Sequence, residues 1–206
     1  CAALEAAYTR EMLTTQQQQL HSRSHANLAA LAQAVQKIQS ETTPSGFVAR
    51  LHQEALEITG ADCGVTVLYD PRDPSNKTEP LAWAGDGLEQ QRSRLQQSIL
   101  DQPQTVRLND LQASEHAPPH EDVAALIITP LLHAQEPIGF IELHAASSTA
   151  LDEFHAALLH ALGAQFSALL AHWLAAQEAH AGFQSATQRE QDYARLLHTI
   201  ASVRVD

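Results

Sequence analysis

Residues Val123 to Ala145 read VAALIITPLLHAQEPIGFIELHA, two apolar runs around the short polar segment His133-Ala-Gln-Glu136. Apolar runs of this length on either side of a polar turn predict a β-hairpin. In the second run Ile138, Phe140, Glu142 and His144 fall on one face, and Gly139, Ile141, Leu143 and Ala145 on the other. Both faces carry bulky apolar groups, which predicts strands in the middle of a sheet with both sides covered. Pro130 cannot donate to a ladder and suits a bulge or an unpaired side, while Pro137 suits the start of a strand.

Upstream, residues 3 to about 40 lack Gly and Pro and are rich in Ala, Leu, Gln and Glu, which predicts one long helix. Its apolar seam is poor from Thr14 to Ser24 and becomes regular at Leu28, Leu31, Val35 and Ile38, the spacing of a coiled-coil stripe. Thr43-Pro-Ser-Gly46 breaks it, with Ser45 the expected N-cap of a second helix that turns Val48, Leu51, Ala55 and Ile58 inward and ends at Gly60. Strands are expected at Ala61 to Asp70, Thr78 to Ala84 and Thr105 to Leu108, with a helix from Asp86 to Gln102 and a long loop from Asn109 to Asp122. After the hairpin, Ser147-Ser-Thr149 is the expected cap of another long helix. There Leu162, Phe166, Leu169, Trp173, Ala176, His180 and Phe183 alternate by four and three, the seam of a coiled coil or bundle, and the phase breaks between residues 183 and 190.

At 206 residues, 44% hydrophobic and 17% charged, the chain has room for one well-buried domain with extra helices. A net charge of −12 and only two lysines, Lys37 and Lys77, argue against a nucleic-acid partner or an anionic membrane face. Cys1 and Cys63 form no disulfide framework and no metal pair, which fits a reducing compartment. No membrane span or signal peptide is expected. The missing initiator Met suggests a piece of a longer protein rather than a lipoprotein that begins at Cys1.

The order of strand, Pro130-Leu, polar turn, Pro137-Ile-Gly-Phe-Ile-Glu-Leu143 and long helix resembles the end of a GAF domain, the small-molecule sensory module of bacterial signalling proteins. The earlier order of helix, Gly60-Ala61, strand, Asp70, loop and strand resembles the family's beginning. The likeness covers about residues 45 to 170. A PAS-like domain is the competing topology, but it normally lacks a helix before its first strand, and Phe47 to Thr59 is such a helix.

The resemblance implies an α+β fold: a central antiparallel β-sheet with the terminal helices on one face and a ligand pocket on the other, beneath the cross-connections. It implies a first signalling helix (1–42), a sensory domain (43–165) and a second signalling helix (166–206) leading to an output module, a histidine kinase or diguanylate cyclase, outside this chain. No enzymatic activity of its own, a cytoplasmic location and no direct membrane contact are expected. A homodimer is expected through Leu31, Val35, Phe166, Leu169, Trp173 and Phe183. An unidentified small molecule would meet Trp83, Leu95, Arg107, His116, His120 and Thr129. The expected roof of that pocket, Gly87 to Gln102 and Asn109 to Asp122, carries Asp110, Glu115, Glu121 and Asp122, which favours a neutral or weakly charged ligand over a nucleotide. A structural dimerisation module with an empty pocket is the alternative.

Twelve histidines invite a metal reading, but no HExxH is present, and His21 and His25 lack a third ligand. His120 lies ten residues before Pro130, a spacing similar to that of the axial histidine in haem-binding GAF domains, so haem is the specific cofactor alternative. Glu121 and Asp122 depart from that subfamily's apolar tendency, and two solvated loop histidines explain the residues as well. Bilin attachment is disfavoured because no cysteine follows Cys63. Cys63, in phase with Val65 and Val67, reads as idle core packing, and Trp83 as core.

Overall fold

The structure, a computed structural model, describes residues 25–73, 75–85, 93–109 and 123–203, with side chains as far as residue 195. Its elements are α1 (25–39), α2 (Pro44–Thr59), β1 (Cys63–Leu68), β2 (Ala82–Gly85), α3 (Arg94–Asp101), β3 (Val106–Asn109), β4 (Ala125–His133), β5 (Glu136–Ala145) and α4 (Glu153–Val203). The five strands form one sheet in the order β2-β1-β5-β4-β3, each antiparallel to its neighbours. This is the α+β architecture with a central antiparallel sheet, and the hairpin lies inside the sheet as its two-sided apolar pattern requires.

The hairpin closes through a two-residue turn, Ala134-Gln135, with His133 paired to Glu136. Both turn residues have positive φ, 49° and 72°, which matches the right-handed twist of the flanking strands but is costly for side chains other than Gly or Asn. Replacing Ala134-Gln135 by Asn-Gly is therefore expected to stabilise the protein by about 1–2 kcal/mol, read as a higher urea midpoint at unchanged slope. Pro130 lies one residue before a register shift at Leu131/Leu132 and beyond the stretch that β3 pairs, so its missing N–H leaves no ladder partner unmet. Leu132 N, freed by the irregularity, donates to Ser167 Oγ at 3.1 Å.

Helix ends depart from expectation where local chemistry offered a better cap. Thr43, not Ser45, caps α2: its Oγ1 accepts from Gly46 N at 3.1 Å, and Pro44 takes the first helical position, where no N–H is needed. Gly60 ends α2 at φ 65° as expected. The Ser147-Ser-Thr149 cluster bonds within itself instead of capping α4. Asp152 does so: its Oδ1 accepts from His155 N at 3.0 Å while His155 Nδ1 faces Asp152 N at 3.2 Å, a reciprocal box at the helix start. Thr78 N and Oγ1 both turn back to Asn76 Oδ1, and Pro80 follows, so β2 starts at Ala82 and not at Thr78.

Strand parity sorts the sheet's two faces. On one lie Thr66, Thr129, Leu131, Ile141 and Leu143, met by α2 through the His52 Nδ1 contact to Thr66 Oγ1 (3.1 Å) and by the first turns of α4, where Gly163 comes close to Leu131 and Thr129. Leu51, Ala55, Leu159, Leu162 and Phe166 are fully buried, as are Ala34 and Ile38 of α1. Burying a side chain of Leu or Phe size stabilises by roughly 1.5–3 kcal/mol, so these terminal helices are part of the domain's core. α3 covers the opposite face.

α1 is fastened to α2 by Lys37, whose Nζ donates to Glu54 Oε2 at 2.9 Å and to Glu57 Oε2 at 3.3 Å. The Glu54 hydrogen bond first, and Glu57 with it, holds the lysine above its ordinary range. A group with a raised folded value contributes stability that is complete below its unfolded value, about 10.4, and is lost as the pH climbs through the folded one. Lys37→Met is thus expected to lower stability at pH 8, because it leaves the Glu54 carboxylate buried without its cation. Urea midpoints of variant and parent should draw together above about pH 10.4; a gap that stayed constant to pH 12 would show the ion pair to be inert.

The chain divides into two compact units, Cys1–Ser167 and Ala168–Asp206. In the second, the helix places Phe183 (72% exposed) and Tyr193 (68% exposed) in solvent, and its side chains bond along the helix, as in Gln188 Nε2 to Asp192 Oδ1 at 3.0 Å. By length and composition alone α4 between Glu153 and Arg195 passes as long and apolar enough to cross a membrane, a test that the core helix of a domain also passes, and Leu159, Leu162 and Phe166 of α4 are core.

Candidate functional site

α3 has eight residues, too few to hold as an isolated helix, so its docking on the sheet determines whether it forms. Two devices secure it. Leu95, Ile99 and Leu100 are buried against Val65 and Val67 of β1, Tyr69 just after it, Leu126 and Ile128 of β4 and Phe140 of β5, with Val106 and Leu108 packed alongside and Val123 closing the cluster. At its start Ser93 Oγ accepts from Gln96 N at 3.1 Å and Gln96 Oε1 accepts from Ser93 N at 3.2 Å, a complete capping box.

The same Gln96 also reaches the sheet. Its Nε2 donates to Glu142 Oε2 at 2.8 Å, while Glu142 Oε1 lies 2.7 Å from His144 Nε2. Glu142 is only 5% exposed. Burying a carboxylate is costly unless donors meet it, and here each oxygen has one, an amide from the covering helix and an imidazole from two residues along its own strand. The apolar face under α3 therefore has a polar end, Gln96–Glu142–His144, where a buried acceptor and an ionisable ring sit beneath a helix only two turns long.

The sequence-expected contact residues divide between the faces. Leu95 lies in the α3 cluster, and Trp83, paired with Val67, is on that side too. Trp83 is 50% exposed and does not fill core as expected, because β2 is the edge strand of the sheet and, among the described residues, no further strand lies beyond it. Thr129 and Arg107 lie on the opposite face. Thr129 pairs with Ile141 and bonds to Thr105 Oγ1, which also meets His160 Nδ1 at 3.1 Å. Arg107 alternates with Val106 and Leu108 and turns to the start of α4, with Nη1 donating to Leu151 O at 3.4 Å and Nη2 lying 3.7 Å from Glu153. Both expectations lacked the strand register, and a shift of one residue exchanges the faces.

His116 and His120, which carry the roof and haem readings, lie outside the described residues. Of the expected interface residues, Phe166 is completely buried in its own domain and not offered to a partner, since the first turns of α4 are core. Leu31, Val35, Leu169 and Trp173 are half-buried, and Phe183 is exposed. Among the described residues no three His, Cys, Asp or Glu side chains converge as metal ligands do.

Sequence reasoning placed Glu142 and His144 on one face of the strand but gave them no role. Two ionisable residues two apart in an otherwise apolar, doubly covered strand are the signal that marks them.

A family profile described as GAF domain matches residues 41–171. Curated protein sequences contain no match. Among solved structures, the fold is similar to the GAF domain of a phosphoenolpyruvate-protein phosphotransferase from Acinetobacter, at 21% identity and TM-score 0.57, over 72% of this chain and 94% of that one. It is similar to a free methionine-R-sulfoxide reductase from Neisseria meningitidis in complex with its substrate, at 16% identity and TM-score 0.61, over 76% and 93%. The GAF domain of a protein assigned as a sensor histidine kinase from Pseudomonas syringae pv. tomato matches at 19% identity and TM-score 0.53, over 80% and 97%.

Proposed function

Since the chain belongs to the GAF domain family, a family of sensory and regulatory domains, we propose that it binds a small molecule beneath α3 and relays the bound state through its terminal helices to an output module. The observation that carries this reading is the Gln96–Glu142–His144 contact. A buried acceptor and an ionisable ring are what a small polar ligand can recognise, and the contact joins them to the short helix that covers the face. A ligand that bound better with α3 displaced than with α3 docked would shift the population between the two, by no more than that difference in affinity.

The route outward is α4, continuous from the core positions Leu159, Leu162 and Phe166 into residues 168–203. A homodimer through Leu169, Trp173 and Phe183, with Leu31 and Val35, gives that helix a partner. Phe183 at 72% exposure is an apolar ring whose burial a second copy would supply. Phe183→Glu is expected to shift a dimer towards monomer in light scattering at micromolar concentration. A parent chain already monomeric there would remove the dimeric stem.

A second reading has its own support: α3 buries Leu95, Ile99 and Leu100 directly on the sheet, as a structural dimerisation module with an unused pocket would. Native mass spectrometry and absorbance of the purified protein separate the two. A bound mass, or a melting-temperature rise with a member of a metabolite library that is lost in Glu142→Gln, supports sensing. No bound mass and no shift from any member leaves the structural module.

A further inference from the structure

β3 is four residues long and, among the described strands, pairs with β4 alone. Its side chains alternate between the two faces of the sheet. Val106 and Leu108 pack on the cluster that holds Leu95, Ile99 and Leu100 of α3. Thr105, just before the strand, and Arg107 serve the opposite face. Thr105 Oγ1 meets His160 Nδ1 of α4 at 3.1 Å and bonds to the buried Thr129 hydroxyl, and Arg107 Nη1 donates to Leu151 O at 3.4 Å, two residues ahead of that helix.

The covalent path from α3 is short as well. The helix ends at Asp101, and only Gln102, Pro103 and Gln104 separate it from Thr105. Gln102 N is still bonded to Ser98 O at 2.8 Å. Proline has a fixed φ and restricts the residue before it to extended backbone, here φ −132° and ψ 89° at Gln102. Three residues so constrained hold little slack, and α3 cannot leave the sheet far without drawing on Thr105. β4 and β5 are each paired on both sides and β3 on one, so β3 is the strand that yields.

We propose that β3 couples α3 to α4, with Thr105 and Arg107 as positioning residues. While α3 is docked they hold His160 and Leu151; displacement of α3 loosens both holds and, with them, the first turns of α4. This rests on the reading that a ligand acts beneath α3, and it assigns the route by which that effect leaves the pocket. Coupling is reciprocal, so releasing the holds on the α4 side must also loosen α3.

The test is hydrogen exchange of the whole chain with no ligand present, so a failure to find any ligand leaves its outcome unaffected. Gln96→Ala removes the capping box and the amide on Glu142. It is expected to quicken the Ile99 and Leu100 amides and, by about threefold, those of Leu158 and Leu159 in α4, a factor in the range of one lost hydrogen bond. Ile141 and Leu143 serve as the reference. In a chain carrying Arg107→Gln and His160→Ala, the α4 amides should already be fast and Gln96→Ala should add nothing. Ser167→Ala, which removes the separate bond from Leu132 N, should leave the effect of Gln96→Ala on α4 whole. Quickened α3 amides with unchanged α4 amides in Gln96→Ala overturn the proposal, as does full acceleration of α4 in the Arg107→Gln, His160→Ala chain. The reverse direction decides even where Gln96→Ala does not fold. Arg107→Gln with His160→Ala should by itself quicken Ile99 and Leu100 on the other face of the sheet, which a merely local role at α4 would not do, and parental rates there overturn the coupling.

Discussion

Phe140→Ala is expected to cost about 3–5 kcal/mol of folding stability, a large share of the roughly 5–15 kcal/mol that a domain has. Phe140 is fully buried at the middle of β5, paired with Val67 on one side and Pro130 on the other. Its ring belongs to the cluster on which Leu95, Ile99 and Leu100 of α3 rest. Removing it costs the transfer free energy of the ring and leaves a cavity that strands held on both sides cannot close. Because α3 is too short to persist without this support, the loss has a local signature besides the global one. Urea unfolding should give the magnitude. Hydrogen exchange of the Ile99 and Leu100 amides should quicken relative to those of Ile141 and Leu143, and equal acceleration in both places would show that α3 does not depend on the ring.

Gly139→Val is expected to cost about 3 kcal/mol or more by the opposite mechanism. A Cβ at residue 139 would meet Val67 O at 2.1 Å and Leu68 Cα at 3.1 Å. Those are backbone atoms of the neighbouring central strand, so no flexible side chain can swing aside, and the β1–β5 ladder would have to open. The change adds apolar surface, and a simple burial count would score it as stabilising. The urea midpoint decides the sign. A midpoint at or above the parent's would mean that β1 and β5 separate cheaply, which the pairing from Cys63/His144 to Leu68/Gly139 gives no reason to expect. Neighbours in sequence, residues 139 and 140 thus test the two faces of the same strand, one for a cavity and the other for a collision.

The sequence by itself determined what depends on neighbours along the chain. The period-two pattern from Ile138 to Ala145 made β5 a strand with two apolar faces, and such a strand can only be internal, so the central antiparallel hairpin was legible before any coordinates. The Gly60 cap and the inward Leu51 and Ala55 of α2 followed from local signals of the same kind. What only the tertiary structure decided was which residues of different strands face one another. Register assigns Thr129 and Arg107 to the side of the terminal helices, exposes Trp83 on an edge, and sets Cys63 opposite His144. Phe166 was in phase with the helical seam but buried in its own domain, because periodicity reports that a face is covered and not by what. The Gln96–Glu142 bond joins residues 46 positions apart. No local rule reaches that far, since the free energy that selects such a pair comes from the packing of α3 on the sheet and from the cost of leaving a buried carboxylate without donors.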